Sequence, residues 1–384
     1  MSVPLTDVPA KLTPASARPL FAIARSRAYL NNASIGPLSE PVFAALQAFQ
    51  DDIRQNGRNN YPDWCDHIDG PVKERIGSMI GAHRDELAYI KNTTEGLITV
   101  ANGLRWRAGD NVLIPDIEYP SNVYCWMRLT RFGVETRFVP ARQGRVTVDD
   151  FAAAADARTR VISVSAVQFS NGYRSDLAAL SQFCKDRDIL LNIDAIQWIG
   201  SLHMDLSAYN VAFASAGSHK GLLASIGSGI FYCRRSALDL LDPPNVGYHS
   251  VGRGEAHMDY DLTFRPDAGR FEEALVNIPG IWGLDAAVRM QLAIGTREIE
   301  AHVLALVAYA ADRLRAKGCI VDSPDAPGER SSILTFLVPG QDTDALITRL
   351  RAQSIDVAPR AGKLRLSASY YNDQSDIDAL VNAL

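Results

Sequence analysis

Between about residues 85 and 235, short apolar runs alternate with helical patterns. The runs Glu86–Ile90, Asn111–Ile114, Arg160–Val164, Ile189–Ile193, Val211–Ala214 and Gly229–Cys233 have the length and continuity of buried strands. Segments between them, such as Leu177–Lys185, repeat their apolar residues at helical spacing. This alternation predicts an α/β fold: βα units around a mostly parallel central sheet with helices on both faces. After about residue 235 the pattern changes. A Pro/Gly-rich stretch, Asp242–Gly247, leads through Arg270–Ala274 and Asn277–Gly280 into one long helical pattern from Ile281 to about Arg315. The tail then reads strand (332–337), helix (342–352), strand (364–367) and helix (374–384), a small α+β unit. The expected division is an N-terminal arm joining the small domain (1–30), a large domain (31–275) and a small C-terminal domain (276–384).

Most of the predicted strands of the large unit run into polar or glycine-containing sequence. These ends are Asn92–Gly96, Glu118–Ser121, Gln168–Gly172, Asp194–Gln197 and Ser218–Lys220, and all fall on the carboxyl edge of the sheet, where open α/β sheets bind ligands. A chain of 384 residues with 47% hydrophobic content can bury a large core. At 22% charged residues and a net charge of −5, it has no basic stripe for nucleic acid. No apolar run is long enough to span a membrane, and Met1–Asp7 lacks the basic and apolar regions of a signal peptide. Five dispersed cysteines without a CxxC pair fit reduced thiols in the cytoplasm. His67 and His203, each near an aspartate, read as surface pairs, so no metal is expected. No GxGxxG or Walker loop follows any strand.

Lys220 ends a predicted buried strand, where its charge must be desolvated or neutralised. Asp194 closes a neighbouring apolar strand, an equally costly position for an acid without a charged partner. An amine that can bond an aldehyde, beside an acid that can hold a pyridine nitrogen protonated, is what pyridoxal phosphate requires. Gln197 is three residues beyond Asp194 and can reach the phenolic oxygen. Thr94 and Glu95 lie where a helix opens, a site suited to a phosphate, although capping alone would explain the threonines. Ser218 and His219 can donate to the same phosphate. Tyr119, held before Pro120, can stack on the pyridine, or simply pack in the core. Arg365 can clamp a substrate carboxylate, or lie on the surface of an edge strand.

Through Asn92-Thr93-Thr94-Glu95-Gly96, Glu118-Tyr119-Pro120-Ser121-Asn122, Asp194-Ala195-Ile196-Gln197 and Ser218-His219-Lys220, the chain resembles the class V aminotransferases. These are fold type I pyridoxal-phosphate enzymes that include cysteine desulfurases, selenocysteine lyases, kynureninases and isopenicillin N epimerase-like proteins. The likeness runs from Tyr29 to Asn372. It implies Lys220 as the lysine bonded to the cofactor, Asp194 at the ring nitrogen, Gln197 at the phenolic oxygen and Tyr119 as the stacking ring. Thr94, Ser218 and His219 are implied as phosphate ligands, and Asn171 and Arg365 as carboxylate contacts. Asn277 matches a position that reaches the partner subunit's phosphate, which implies a homodimer with shared sites. Two departures matter. Many relatives read Ser-Gly-His-Lys, whereas here Gly217 and Ser218 are exchanged, so Ser215 competes for the serine's role. Desulfurases also carry a nucleophilic cysteine just before the carboxylate arginine, yet Asp356–Lys363 has none, and Cys319 reads as the start of a buried strand.

The expected activity is therefore a lyase (β-elimination, C–S cleavage) or epimerase-type reaction on an α-amino acid or small derivative. Transamination is the alternative. A non-catalytic pyridoxal-phosphate-binding regulator is the reading from another class, but Pro4, Pro9, Pro14 and Pro19 suit an extended arm and not a DNA-binding helical segment. Asn56–Tyr61 and the turn Asn32–Gly36 are the expected lining of the side-chain pocket.

Overall fold

The structure is a computed structural model describing residues 7–252, 258 and 260–384. Met1–Thr6, read above as free of signal-peptide features, lie outside them. The described strands, in chain order, are β1 (Ala28–Tyr29), β2 (Leu87–Ile90), β3 (Asn111–Pro115), β4 (Glu135–Val139), β5 (Thr159–Ser165), β6 (Leu190–Asp194), β7 (Phe213–Gly217), β8 (Gly229–Cys233), β9 (Ile320–Val321), β10 (Ile333–Leu337), β11 (Ile355–Asp356), β12 (Ala358–Arg360) and β13 (Lys363–Ser367).

The central sheet has seven strands in the order β2-β8-β7-β6-β5-β3-β4. Only β8 runs antiparallel to its neighbours, β2 and β7. Helices cover both faces, so β2, β3, β7 and β8 are buried along their whole length, as their continuous apolar sequences require. Edge strand β4 differs. Its Glu-Thr-Arg-Phe-Val sequence is largely exposed and carries Arg137 paired with Glu135 and Asp156, so it lacks the apolar run that marks the other strands.

Residues 281–315 are two helices, not one. Gly295, at φ 97°, breaks the run between Ile278–Ile294 and Thr296–Ala316. The first helix buries Ile278, Ile281, Trp282 and Leu284 in the core of the large sheet. The second buries Leu306, Ala310 and Leu314 against the second sheet, an antiparallel β12-β13-β10-β9 array. β1 pairs in parallel with β11, which ties the N-terminal segment to this smaller unit. From Pro14 on the arm is not extended: Thr13 caps the short helix Pro14–Ala17, 3-10 turns follow, and Phe21 stacks on Tyr371 at 4.3 Å between ring centroids. No described helix is long and apolar enough to cross a membrane.

Candidate active site

A cavity of about 490 Å³ opens at the carboxyl ends of the parallel strands, between the two sheets. Lys220 enters it just after β7. Gly36 lies against the Lys220 carbonyl, where a Cβ would come within 2.7 Å, so only glycine lets the turn 33–36 close over this peptide. Burial lowers the Lys220 amine to about 8; Asp194 opposes the drop, and Arg365 and Arg360 deepen it. Its Nζ lies 5.7 Å from the centroid of the Tyr119 ring.

Asp194 ends β6 and is 3% exposed. Its Oδ1 accepts the Ile196 N–H at 3.0 Å, and among the described residues it has no ion-pair partner within 4 Å. Burial pushes its pKa up to about 6, against the pull of the Ile196 N–H and Lys220. Such a carboxylate fits a cationic ring N–H better than a plain helix cap. Gln197 also lines the cavity and donates to the Ala33 carbonyl at 3.1 Å.

The helix Thr93–Gly103 aims its N-terminus at the same cavity. Asn92, not a threonine, is its cap, accepting the Glu95 N–H at 3.0 Å. The Thr94 hydroxyl is thereby free to bond Ser121 Oγ at 2.8 Å on the cavity wall. With His219, whose pKa burial and Lys220 depress, these residues make a donor set suited to a phosphate.

Tyr119 stands edge-on to Phe169, with ring centroids 5.1 Å apart. Behind them the buried Glu118 accepts from the Ser165 N–H (2.6 Å), Ser165 Oγ (2.5 Å) and Gln168 Nε2 (2.8 Å). Burial raises Glu118 to about 7, while the Ser165 donors oppose the rise and Asp194 adds to it. Its carboxylate clips the loop bearing Tyr119 to the loop bearing Phe169. Its sequence signal was an acid directly before the aromatic residue at a strand end.

Arg365 lies on β13, an inner strand of its sheet, and is 1% exposed, so it is no surface arginine. It donates to the Phe169 carbonyl at 2.8 Å and to Ser34 Oγ at 2.9 Å, while its buried Nε has no partner. Burial, reinforced by Arg360, lowers it to about 9. An unpartnered N–H on a desolvated guanidinium fits a substrate carboxylate.

Five expected site residues lie off the cavity lining; all but Ser215, whose buried Oγ has no hydrogen-bond partner, are held by side-chain hydrogen bonds. Glu95 turns back to Lys91, accepting its backbone N–H at 2.5 Å and its Nζ at 3.0 Å. Ser215 is buried on β7 behind the helix, where a Cβ on Gly96 would sit 2.2 Å from its Oγ. Ser218 Oγ bonds the carbonyls of Ser225 (2.7 Å) and Ser228 (2.8 Å), pinning the following turn. Asn171 donates to the Gly144 carbonyl at 2.8 Å and accepts the Tyr173 N–H at 3.0 Å. Asn277 caps the Ile278–Ile294 helix and donates to the Gly227 carbonyl at 2.9 Å, in a separate recess beside Leu275. Of the two expected linings, Ala33, Ser34 and Ile35 do face the cavity. Gly57, Arg58 and Tyr61 line a different one of about 1090 Å³. His67 and His203 are not surface pairs with neighbouring aspartates: they meet Asp285 and Thr296. Arg360 faces the cavity and was not singled out in the sequence; its signal is an arginine one residue before the Ala361-Gly362 turn that leads to Arg365. None of the five cysteines lines the cavity.

The profile of the family described as Aminotransferase class-V matches residues 28–380. A probable cysteine desulfurase of Methanothermobacter thermautotrophicus is 29% identical over 94% of each chain. Isopenicillin N epimerase of Amycolatopsis lactamdurans is 27% identical, covering 92% of this chain and 94% of the epimerase. Among solved structures, the cystine C–S lyase C-DES in complex with its reaction product, cysteine persulfide, superposes with a TM-score of 0.86 at 22% identity, covering 93% of this chain and 96% of the lyase chain. That superposition establishes the fold, and the family match covers both sheets and every element that borders the cavity. The chain belongs to the class-V aminotransferase family.

Proposed function

We propose that this cavity eliminates a β-substituent from a free α-amino acid or a small derivative of one. Pyridoxal phosphate is the cofactor of the family, and the residues present fit it. Thr94, Ser121, His219 and the helix N-terminus would hold its phosphate, Asp194 its ring nitrogen, Gln197 its phenolic oxygen and Tyr119 one ring face. Lys220 would be its attachment point. When bound, the cofactor supplies an electron sink for the pair left at Cα.

The observation that carries the proposal is the Lys220 amine, held at about 8 in a cavity that contains Asp194 and Arg365 but no cysteine. With a pKa near working pH, Lys220 can take the Cα proton and return one to the departing group. Arg365 holds the carboxylate through its free Nε and so fixes which Cα bond faces Lys220. Without a thiolate near the substrate, there is no protein acceptor for a sulfane sulfur, which argues against persulfide formation on the enzyme. Asn277, beside the exposed Leu275, supports a homodimer in which each copy contributes to the other's phosphate site. All five cysteines are free thiols, in keeping with a cytoplasmic protein.

The test is incubation of the holo-protein with a panel of amino acids, following keto acid, ammonia, sulfide and optical rotation. Elimination predicts keto acid and ammonia in equal amounts without any added acceptor, lost in Lys220→Ala. Turnover that needs an added keto acid would replace elimination with transamination, and loss of optical activity alone would replace it with epimerisation. A yellow protein inert toward every substrate would favour the non-catalytic reading.

A further inference from the structure

Two guanidiniums enter the cavity from one face of the β12–β13 hairpin. Ala358 pairs with Arg365 and Arg360 with Lys363, across a turn at Ala361 and Gly362 with φ of 48° and 77°. Cross-strand partners share a face and side chains alternate along a strand, so Ala358, Arg360, Lys363 and Arg365 all point the same way. Lys363 is neutralised by Asp322 at 2.5 Å. Among the described residues, neither arginine has a carboxylate within 4 Å. The Nε atoms of both are buried and without an acceptor. Among the described residues, Arg360 otherwise donates only to the carbonyl of its neighbour Pro359, at 2.6 Å. Burial lowers its pKa, and it in turn lowers that of Arg365, so the two cations sit in each other's field without a compensating charge.

Against Lys220, Arg360 and Arg365, the cavity lining holds one acid among the described residues, Asp194. The phosphate donors come from other elements, the N-terminus of the Thr93–Gly103 helix and the turn at His219. Arg365 is deep enough to clamp a substrate's α-carboxylate, which leaves a second guanidinium on the same wall with no assigned anion. Resting on the reading of the cavity as an amino-acid site, we propose that Arg360 binds a second anionic group and sets the substrate class: α-amino acids whose side chain carries a negative charge, such as a carboxylate or sulfinate. Pairing that group with Arg360 gives its buried Nε an acceptor and its half-buried charge a counter-charge, whereas a neutral side chain of the same shape leaves the charge uncompensated.

The test uses holo-protein and the isosteric pairs aspartate against asparagine and glutamate against glutamine, with binding read from the change in the bound cofactor's visible spectrum. The expected result is half-saturation by at least one acidic ligand at a concentration about tenfold below that of its amide. In Arg360→Gln the ratio should collapse toward one, while Arg360→Lys, which keeps the charge but not the fork, should retain part of it. Arg365→Gln should weaken acids and amides alike. Equal affinity for acid and amide in the unaltered protein overturns the assignment. So does an Arg360→Gln variant, folded by circular dichroism, that weakens both ligands in proportion, since Arg360 would then belong to the α-carboxylate clamp. Spectral silence with all four ligands would overturn the amino-acid reading itself, and this assignment with it.

Discussion

A lysine amine can bond an aldehyde or accept a proton only as the free base, so the position of Lys220 on the pH scale governs what it can do. Burial brings it to about 8, and Asp194 is the neighbour that resists that fall. The rate at which the apo-protein takes up pyridoxal phosphate, followed by visible absorbance, should therefore rise with pH and level off with an inflection near 8. An unperturbed lysine would inflect at about 10.4. Asp194→Asn removes the charge that holds the amine's proton on, so the inflection should move to lower pH even as the cofactor is held less tightly. An inflection that stays put or moves upward would contradict this electrostatic account. Both residues could be read from the sequence, because a charge at the end of an apolar strand is costly without a partner. The serines could not. Whether Ser215 or Ser218 faces a ligand depends on how the strand passes into its turn, and here the Ser225 and Ser228 carbonyls claim Ser218 while the helix covers Ser215.

Among elements, the helix Thr93–Gly103 has the narrowest tolerance, because its N-terminus must sit directly against β7. Gly96 makes this contact: a Cβ there would lie 2.2 Å from Ser215 Oγ and 2.8 Å from Ser215 Cβ. Gly96→Ala should push the helix away from the sheet, at a cost of about 1–3 kcal/mol in stability. It should also weaken cofactor binding by about tenfold or more, measured by fluorescence titration of the apo-protein. Adding Ser215→Gly should recover part of both losses, and a double variant no better than the single one would count against this contact. Most strands of the central sheet were legible because burial on both faces demands continuous apolar sequence. β4 escaped because an edge strand carrying Glu135 and Arg137 shows no such run. The break at Gly295 was hidden because the residues on either side keep helical spacing while packing on different sheets. The N-terminal prolines suggested an extended arm, yet Pro14 opens a short helix behind its Thr13 cap.

At the scale of the whole molecule, the cavity exists only while the two sheets stay in register. Arg365 reaches across to the Phe169 carbonyl, Ser331 Oγ to the Gly172 carbonyl at 2.7 Å, and Arg145 and Arg174 to Glu329 and Glu300. These contacts close the site on one side. On the other lies a second, larger recess. Leu275 and Tyr248 are 59% and 54% exposed and line the recess of about 1090 Å³ with Ile53, Tyr61 and Trp64. Leu275 also borders the smaller recess that holds Asn277. An apolar surface of this kind costs free energy in water and is relieved by burial in a partner. If the protein forms the homodimer proposed above, with the larger recess covered and Asn277 reaching the partner's phosphate, assembly and cofactor binding should be coupled. The holo-protein should sediment as a dimer. Leu275→Glu would force an unpaired charge into the interface and should raise the dimer dissociation constant at least about tenfold. If Asn277 completes the partner's phosphate site, the same variant should lose cofactor affinity in step with dimer affinity, and raising protein concentration should restore both together. A monomeric holo-protein with full cofactor occupancy would refute that coupling. A variant that dissociates yet keeps its cofactor would retain the dimer but take Asn277 out of the site.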